Sequence, residues 1–121
     1  MLTTYEKGIN AENRVVEILT NSGYEIIGRR VKTKYGEIDI LAFKNNTLIA
    51  IEVKQRKTLN IARECLSNKQ KHRISKALQL IISQRNSYIF ENYRIDVVLL
   101  DRKGNYEYII NAFSFETDIE F

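Results

Sequence analysis

The chain is poor in the residues that build covalent crosslinks and closed metal sites. Its 121 residues include one cysteine, Cys65, and one histidine, His72. A lone cysteine cannot form an intramolecular disulfide, which points to a reducing compartment and hence to the cytoplasm. A closed zinc site of the usual nitrogen–sulfur type is excluded on the same count, so any metal must be held by oxygen. Proline is absent, and no low-complexity stretch or internal repeat is visible. No linker therefore divides the chain, and one domain over residues 1–121 is expected. No apolar run approaches the roughly 20 residues that cross a bilayer as a helix. The opening Met1-Leu2-Thr3-Thr4-Tyr5-Glu6 lacks the charged-then-apolar layout of a signal peptide.

Apolar residues make up 44% and charged residues 28%, a balance that fits an ordinary globular chain. The formal net charge is only +4, but it is unevenly spread. Residues 29–76 hold thirteen Lys/Arg against Glu37, Asp39, Glu52 and Glu64, about +9, whereas the flanks carry about −5. A basic middle wrapped around a few acids suits a polyanionic substrate with a cation at its centre. The plainer alternative is a solvated charged surface.

The acids in that basic middle have a pattern. Gly36-Glu37-Ile38-Asp39-Ile40 and Ile49-Ala50-Ile51-Glu52-Val53-Lys54 both read as strands. With Asn45-Asn46 as a two-residue turn, Asp39 lies opposite Glu52 and Glu37 opposite Lys54. Two facing carboxylates repel and weaken a sheet. A hard divalent cation such as Mg²⁺ or Mn²⁺ reverses the sign of that interaction, because it prefers carboxylate oxygens. The inference depends on the parity of the loop: an odd loop shifts the register by one and scatters the acids to opposite faces. Given an even loop, Asp39 and Glu52 can share one cation, with the Val53 carbonyl as a further oxygen. Such a cation lowers the pKa of bound water, and Lys54 is placed to orient that water and to offset charge building on a phosphate. The ordinary alternative is a Glu37–Lys54 cross-strand ion pair beside an exposed strand face. That alternative leaves Asp39 against Glu52 unexplained.

The remaining elements follow from periodicity. Ala11, Val15, Ile18 and Leu19 predict a helix over Thr4–Asn21, stopped at Gly23. Glu12 borders its apolar stripe, either pointing toward the sheet or reaching solvent along its own stem. Residues 24–34 read as a strand, and residues 57–66 as a mobile loop that allows a helical turn. Ser67-Asn68-Lys69-Gln70 has the form of a capping box, opening a helix striped by Ile74, Ala77, Leu78, Ile81 and Ile82. Residues 94–100 form an apolar run suited to a strand buried on both faces. A turn at residues 101–105 and a last strand at 106–110 follow. The helix between the hairpin and residues 94–100 allows a parallel crossover. The fold class is thus α/β, a mixed sheet of about five strands flanked by α-helices.

Gly36-Glu37-Ile38-Asp39 followed by Ile51-Glu52-Val53-Lys54-Gln55-Arg56 resembles the YraN family of small bacterial proteins. Gly8, Glu12, Gly23-Tyr24, Arg94-Ile95-Asp96-Val97-Val98 and Asn111-Ala112-Phe113 extend the likeness over nearly the whole chain. That family is similar in turn to the restriction-endonuclease-like fold and to archaeal Holliday-junction resolvases. The resemblance implies Asp39, Glu52 and Glu12 as metal ligands, Lys54 as the catalytic lysine and Gln70 as a supporting glutamine. The superfamily often carries proline before its first aspartate, where this chain has Ile38. The function implied is a Mg²⁺- or Mn²⁺-dependent endonuclease acting on DNA, with branched or repair intermediates as candidate substrates and a homodimer as the candidate assembly. Lys32, Lys34, Arg56, Lys57, Lys69, Arg73 and Lys76 are the candidate phosphate contacts. Two other readings remain open at this stage: a non-catalytic nucleic-acid-binding domain of the same fold, and a protein-interaction domain docking through the acidic segment 116–120. His72 reads as a phosphate contact or an exposed bystander, and Tyr35 as a base-stacking or a packing residue.

Overall fold

The computed structural model describes residues 1–84 and 91–113. The acidic segment 116–120 lies outside these described residues. Helix α1, Thr4–Asn21, opens on a reciprocal cap: Thr3 Oγ1 accepts the Glu6 N–H at 3.1 Å and Glu6 Oε1 accepts the Thr3 N–H at 3.2 Å. It ends where Gly23 takes a φ of +85°. Strands β1 (Glu25–Thr33), β2 (Gly36–Lys44) and β3 (Thr47–Gln55) follow as two hairpins. Residues 57–66 hold a helix rather than a loop: α2, Leu59–Glu64, is opened by Thr58, whose hydroxyl accepts the Ile61 N–H at 3.1 Å. Its apolar signal is one buried residue, Ala62, too little for periodicity to register. Helix α3, Asn68–Gln84, leads to β4 (Asn92–Leu100) and β5 (Tyr106–Phe113).

The five strands lie in chain order, β1-β2-β3-β4-β5. All neighbours run antiparallel except β3 and β4, which are parallel and joined through α2 and α3. This is a five-stranded mixed sheet flanked by helices, of the restriction-endonuclease-like kind. Val15 and Leu19 of α1 pack on Ile40, Ala42, Ile49, Ile51, Val98 and Leu100. Ile74, Ala77, Leu78 and Ile81 of α3 pack on Leu41, Leu48, Ala50 and Ile95. Ala62 of α2 joins Val97 and Leu99. Strand alternation thus sorts β3 and β4 between α1 on one face and α2–α3 on the other. Truncating a fully buried member such as Leu78 to Ala is worth about 2–5 kcal/mol.

The β2–β3 turn is Asn45-Asn46, with φ of +50° and +58°, the two left-handed residues of a type I′ hairpin. The ladder runs from Lys44↔Thr47 to Ile40↔Ile51, in the even register expected. Below that point it stops. β2 stays paired with β1 through Thr33↔Gly36, and β3 stays paired with β4 through Gln55↔Leu100. The two strands therefore part like a fork, and the expected facing pairs Asp39–Glu52 and Glu37–Lys54 are not part of the ladder. Side chains reach backbone groups on both strands of the gap. Asp39 Oδ2 accepts the Val53 N–H at 2.8 Å, and Arg73 Nη1 donates to the Glu37 carbonyl at 2.8 Å. Strict alternation also breaks at the fork: Ile38 joins the α3 cluster while Ile40 joins the α1 cluster.

Candidate metal and nucleic-acid site

The fork opens into a cleft of about 430 Å³ lined by Thr4, Lys7, Gly8, Ala11 and Glu12 of α1, by Asp39, by residues 52–56 of β3 and its end, and by Arg102. Each acid reaches it from a different element. Glu52, only 6% exposed, comes from β3, flanked by Lys54 Nζ at 3.8 Å and Arg73 Nη2 at 3.3 Å. Asp39 comes from β2 and is tied to the Val53 amide. Glu12, also 6% exposed, projects from α1, and Arg30 grips it side-on, Nε to Oε1 and Nη2 to Oε2, both at 3.1 Å.

The electrostatics are those of crowded acids. Burial first, and then the charge of Asp39, push the Glu52 carboxyl up to about 7, against the opposing pull of Lys54 and Arg73. Asp39 is also raised by burial, offset in part by the Val53 N–H. Glu12 is raised by burial and by Asp39, with Arg30 opposing. A proton on Glu52 relieves its repulsion with Asp39, and a bound cation would relieve it in the same way. A buried Glu52 beside a half-buried Asp39, each disfavoured as an anion, suits a hard, oxygen-liganded cation. Among the described residues, no three acids are grouped closely enough to hold an ion, and both oxygens of Glu12 are engaged by Arg30.

Lys54 is held from the α3 side. The Gln70 carboxamide meets both neighbours when its oxygen accepts from Lys54 Nζ and its nitrogen donates to the Cys65 carbonyl at 3.0 Å. Gln70 thereby leaves the expected capping box half formed. Its N–H goes to Ser67 Oγ at 3.2 Å, but its side chain is committed to Lys54. Gly36 has a φ of +130°, and a Cβ added to it would lie 2.7 Å from Arg73 Cδ and Nη1. Only glycine lets the Arg73 stem run flat across β2 to reach Glu52.

The candidate phosphate contacts separate into groups. Arg56 lines the cleft, donating to the Gln55 carbonyl at 2.7 Å. Arg73 is turned inward onto Glu52 and Glu37 rather than outward. Lys34 and Lys76 lie over the Tyr35 ring at 5.2 and 5.3 Å. Tyr35 itself packs against the α3 core cluster. Lys32 and Lys34 are exposed and border a groove of about 500 Å³ between β1 and α3. Lys57, Lys69 and His72 are exposed. Sequence reasoning did not single out Arg30, Lys7, Thr4 or Arg102. The spacing of Tyr5, Gly8 and Glu12 along one helix face was an available signal for the first, since Arg30 crosses all three. Arg102 reaches the cleft from the β4–β5 turn, which no local pattern reveals.

Asp96 is a buried acid outside the cleft. Arg94 grips it at 2.8 and 3.0 Å, the Tyr108 hydroxyl donates to it at 2.6 Å, and the Asn111 N–H at 2.8 Å. These bonds fill the irregularity between Ile95 and Val97 where β5 pairs with β4. Its partners are complete, so its role is architectural.

Comparison with known proteins places the chain among relatives of similar size. Residues 11–100 match the profile described as Uncharacterised protein family UPF0102. A UPF0102 protein of Nitrobacter winogradskyi is 32% identical, over 96% of this chain and 98% of its own length. One from a Sulfurihydrogenibium species is 38% identical, over 92% and 96%. One from Granulibacter bethesdensis is 36% identical, over 92% and 70%. The chain belongs to the UPF0102 family, the YraN family of the sequence resemblance.

Proposed function

We propose that the protein is a metal-dependent endonuclease that hydrolyses phosphodiester bonds in DNA. The observation that carries this reading is the fork itself: the buried Glu52 and the half-buried Asp39, two carboxylates that repel when both are charged, share one cleft with the tethered ammonium of Lys54. In this reading Asp39 and Glu52 hold Mg²⁺ or Mn²⁺, with Glu12 as the third candidate ligand. When bound, the cation supplies Lewis acidity toward a phosphate oxygen and a water of lowered pKa.

The protein's own groups do the rest. Lys54, fixed between Glu52 and Gln70, presents N–H donors to the attacking water and to the charge that grows on the phosphate. Holding the ammonium by two partners removes rotamer freedom before the substrate arrives. Arg56, Lys7 and Arg102 surround the cleft with positive charge for the flanking phosphates. Lys32, Lys34, Lys57, Lys69 and Lys76 extend that field outside the cleft. Branched and repair intermediates are the first substrates to test. Cutting two symmetric strands of a junction calls for two copies of the chain, so a homodimer belongs to that version of the proposal. A cytoplasmic location fits the same role; no helix among the described residues is long and apolar enough to cross a membrane.

The test is cleavage of branched, nicked and duplex DNA with Mg²⁺ or Mn²⁺, beside the Asp39→Ala/Glu52→Ala double variant. Cutting of at least one substrate by the native chain alone supports the reading. Equal background from both proteins, with salt-sensitive DNA binding retained, turns the assignment to a non-catalytic nucleic-acid-binding domain.

A further inference from the structure

Glu12 is the acid of the cleft whose two oxygens are both held by a single side chain. Both oxygens are taken by Arg30, and Arg29 Nη2 stands 3.9 Å away while donating to Asn13 Oδ1 at 2.7 Å. Arg30 is held in an unusual way. It has a φ of +49° and lies between the ladder pairs Arg29↔Ile40 and Val31↔Ile38, across from Asp39. A non-glycine residue in that region is strained, and the surroundings must hold it there. Its guanidinium lies over the Tyr5 ring at 5.1 Å and passes Gly8 with a 3.9 Å margin to an added Cβ. The strand bend thus aims one arginine along the rim of the cleft onto the α1 carboxylate. Its side chain is still 31% exposed, so a phosphate can reach the guanidinium.

We propose that Arg30 is a positioning residue which holds Glu12 away from the Asp39–Glu52 pair, and that a nucleic-acid phosphate, by taking over the guanidinium, releases Glu12 to complete the cation site. This rests on the metal-dependent reading above. The exchange is chemically even: Arg30 trades a side-on carboxylate for a phosphate, which fits the same planar fork. Glu12, freed of its counter-ion in a buried position, gains by moving to a cation that needs oxygen ligands. The cleft would then be incomplete without substrate and complete with it, so cation binding and DNA binding reinforce each other.

The experiment is calorimetric Mn²⁺ binding to the native chain and to Arg30→Gln, Arg30→Lys, Glu12→Gln and the Arg30→Gln/Glu12→Gln pair. Circular dichroism confirms that each is folded. Loss of the arginine fork should tighten Mn²⁺ binding about tenfold, and the gain should vanish in the Glu12→Gln background. Arg30→Lys keeps the charge but not the fork, so it should retain most of the gain even if the glutamine variant is unstable. In EDTA, Arg30→Gln should bind a duplex oligonucleotide several-fold more weakly, with a salt slope reduced by about one. The proposal is overturned by unchanged or weaker Mn²⁺ binding in both arginine variants, by a gain that persists without Glu12, or by unchanged DNA binding. Mn²⁺ binding by the native chain that is lost in an added Asp39→Ala/Glu52→Ala control keeps the nuclease reading alive even then. Absence of Mn²⁺ binding in all variants removes both.

Discussion

The Asp39 carboxylate accepts the backbone N–H of Val53 at 2.8 Å, across the point where β2 and β3 separate. One side-chain bond thus replaces a rung of the sheet, and it keeps Asp39 turned toward Glu52 instead of toward water. Without that bond, the forked strands would expose an unpaired amide in a partly buried place.

If the forked acids hold the cation, neither can be replaced by its amide. Asp39→Asn and Glu52→Gln should each lower the cleavage rate by at least about 100-fold, measured on whichever substrate the native chain cuts. Asp39→Asn should also keep the Val53 contact through its amide oxygen, so its melting temperature stays near the native one. Wild-type rates in either variant would move the chemistry elsewhere.

Stability of the metal-free protein should carry the signature of Glu52. Its carboxyl is raised from about 4.5 to about 7, so the folded state favours the protonated form. The contribution is complete below about pH 4.5 and is lost as pH rises through about 7, on the order of 3 kcal/mol in all. Urea titrations of native and Glu52→Gln protein over this window should diverge in the native protein's disfavour as pH rises. Mg²⁺ should offset the loss at pH 8 and do little at pH 5.

Lys54→Met should abolish cleavage while leaving Mn²⁺ affinity within a few-fold, because the lysine acts on water and phosphate and not as a ligand. Gln70→Leu should reduce kcat about tenfold with little change in KM, since it only frees the ammonium to wander. Single-turnover kinetics separate these outcomes. An equal loss of metal binding in Lys54→Met would recast the lysine as structural.

Gly36→Ala should destabilise by about 2 kcal/mol or more, combining a disfavoured φ with a Cβ pressed against Arg73. Denaturant unfolding gives the number directly. A double variant with Arg73→Ala should recover the steric part and leave the backbone part, so incomplete recovery is the expected result.

Asp96→Ala should cost about 3–5 kcal/mol, because it strands Arg94, the Tyr108 hydroxyl and the Asn111 N–H in a buried place. Cleavage by the folded fraction should stay normal, and thermal melts with activity per folded molecule check both halves.

Local order was legible in the chain because it depends on neighbours in sequence. The stripe at Ala11, Val15 and Leu19 sets α1, the Asn45-Asn46 turn sets an even hairpin register, and that register brings Asp39 and Glu52 toward one end of the sheet. Tertiary structure decided what the hairpin does beyond Ile40 and Ile51. β2 is held by β1, β3 is held by β4, and the Asp39 carboxylate takes the Val53 N–H where a ladder bond would be. It also turned Arg73 inward onto Glu52 and drew Gln70 from its own helix cap to Lys54. Glu12 it committed to an arginine eighteen residues away. Such partners are chosen by distance and desolvation, which sequence separation does not encode. Periodicity could say which residues were acidic and on which element; only the packed sheet could say which charge each one meets.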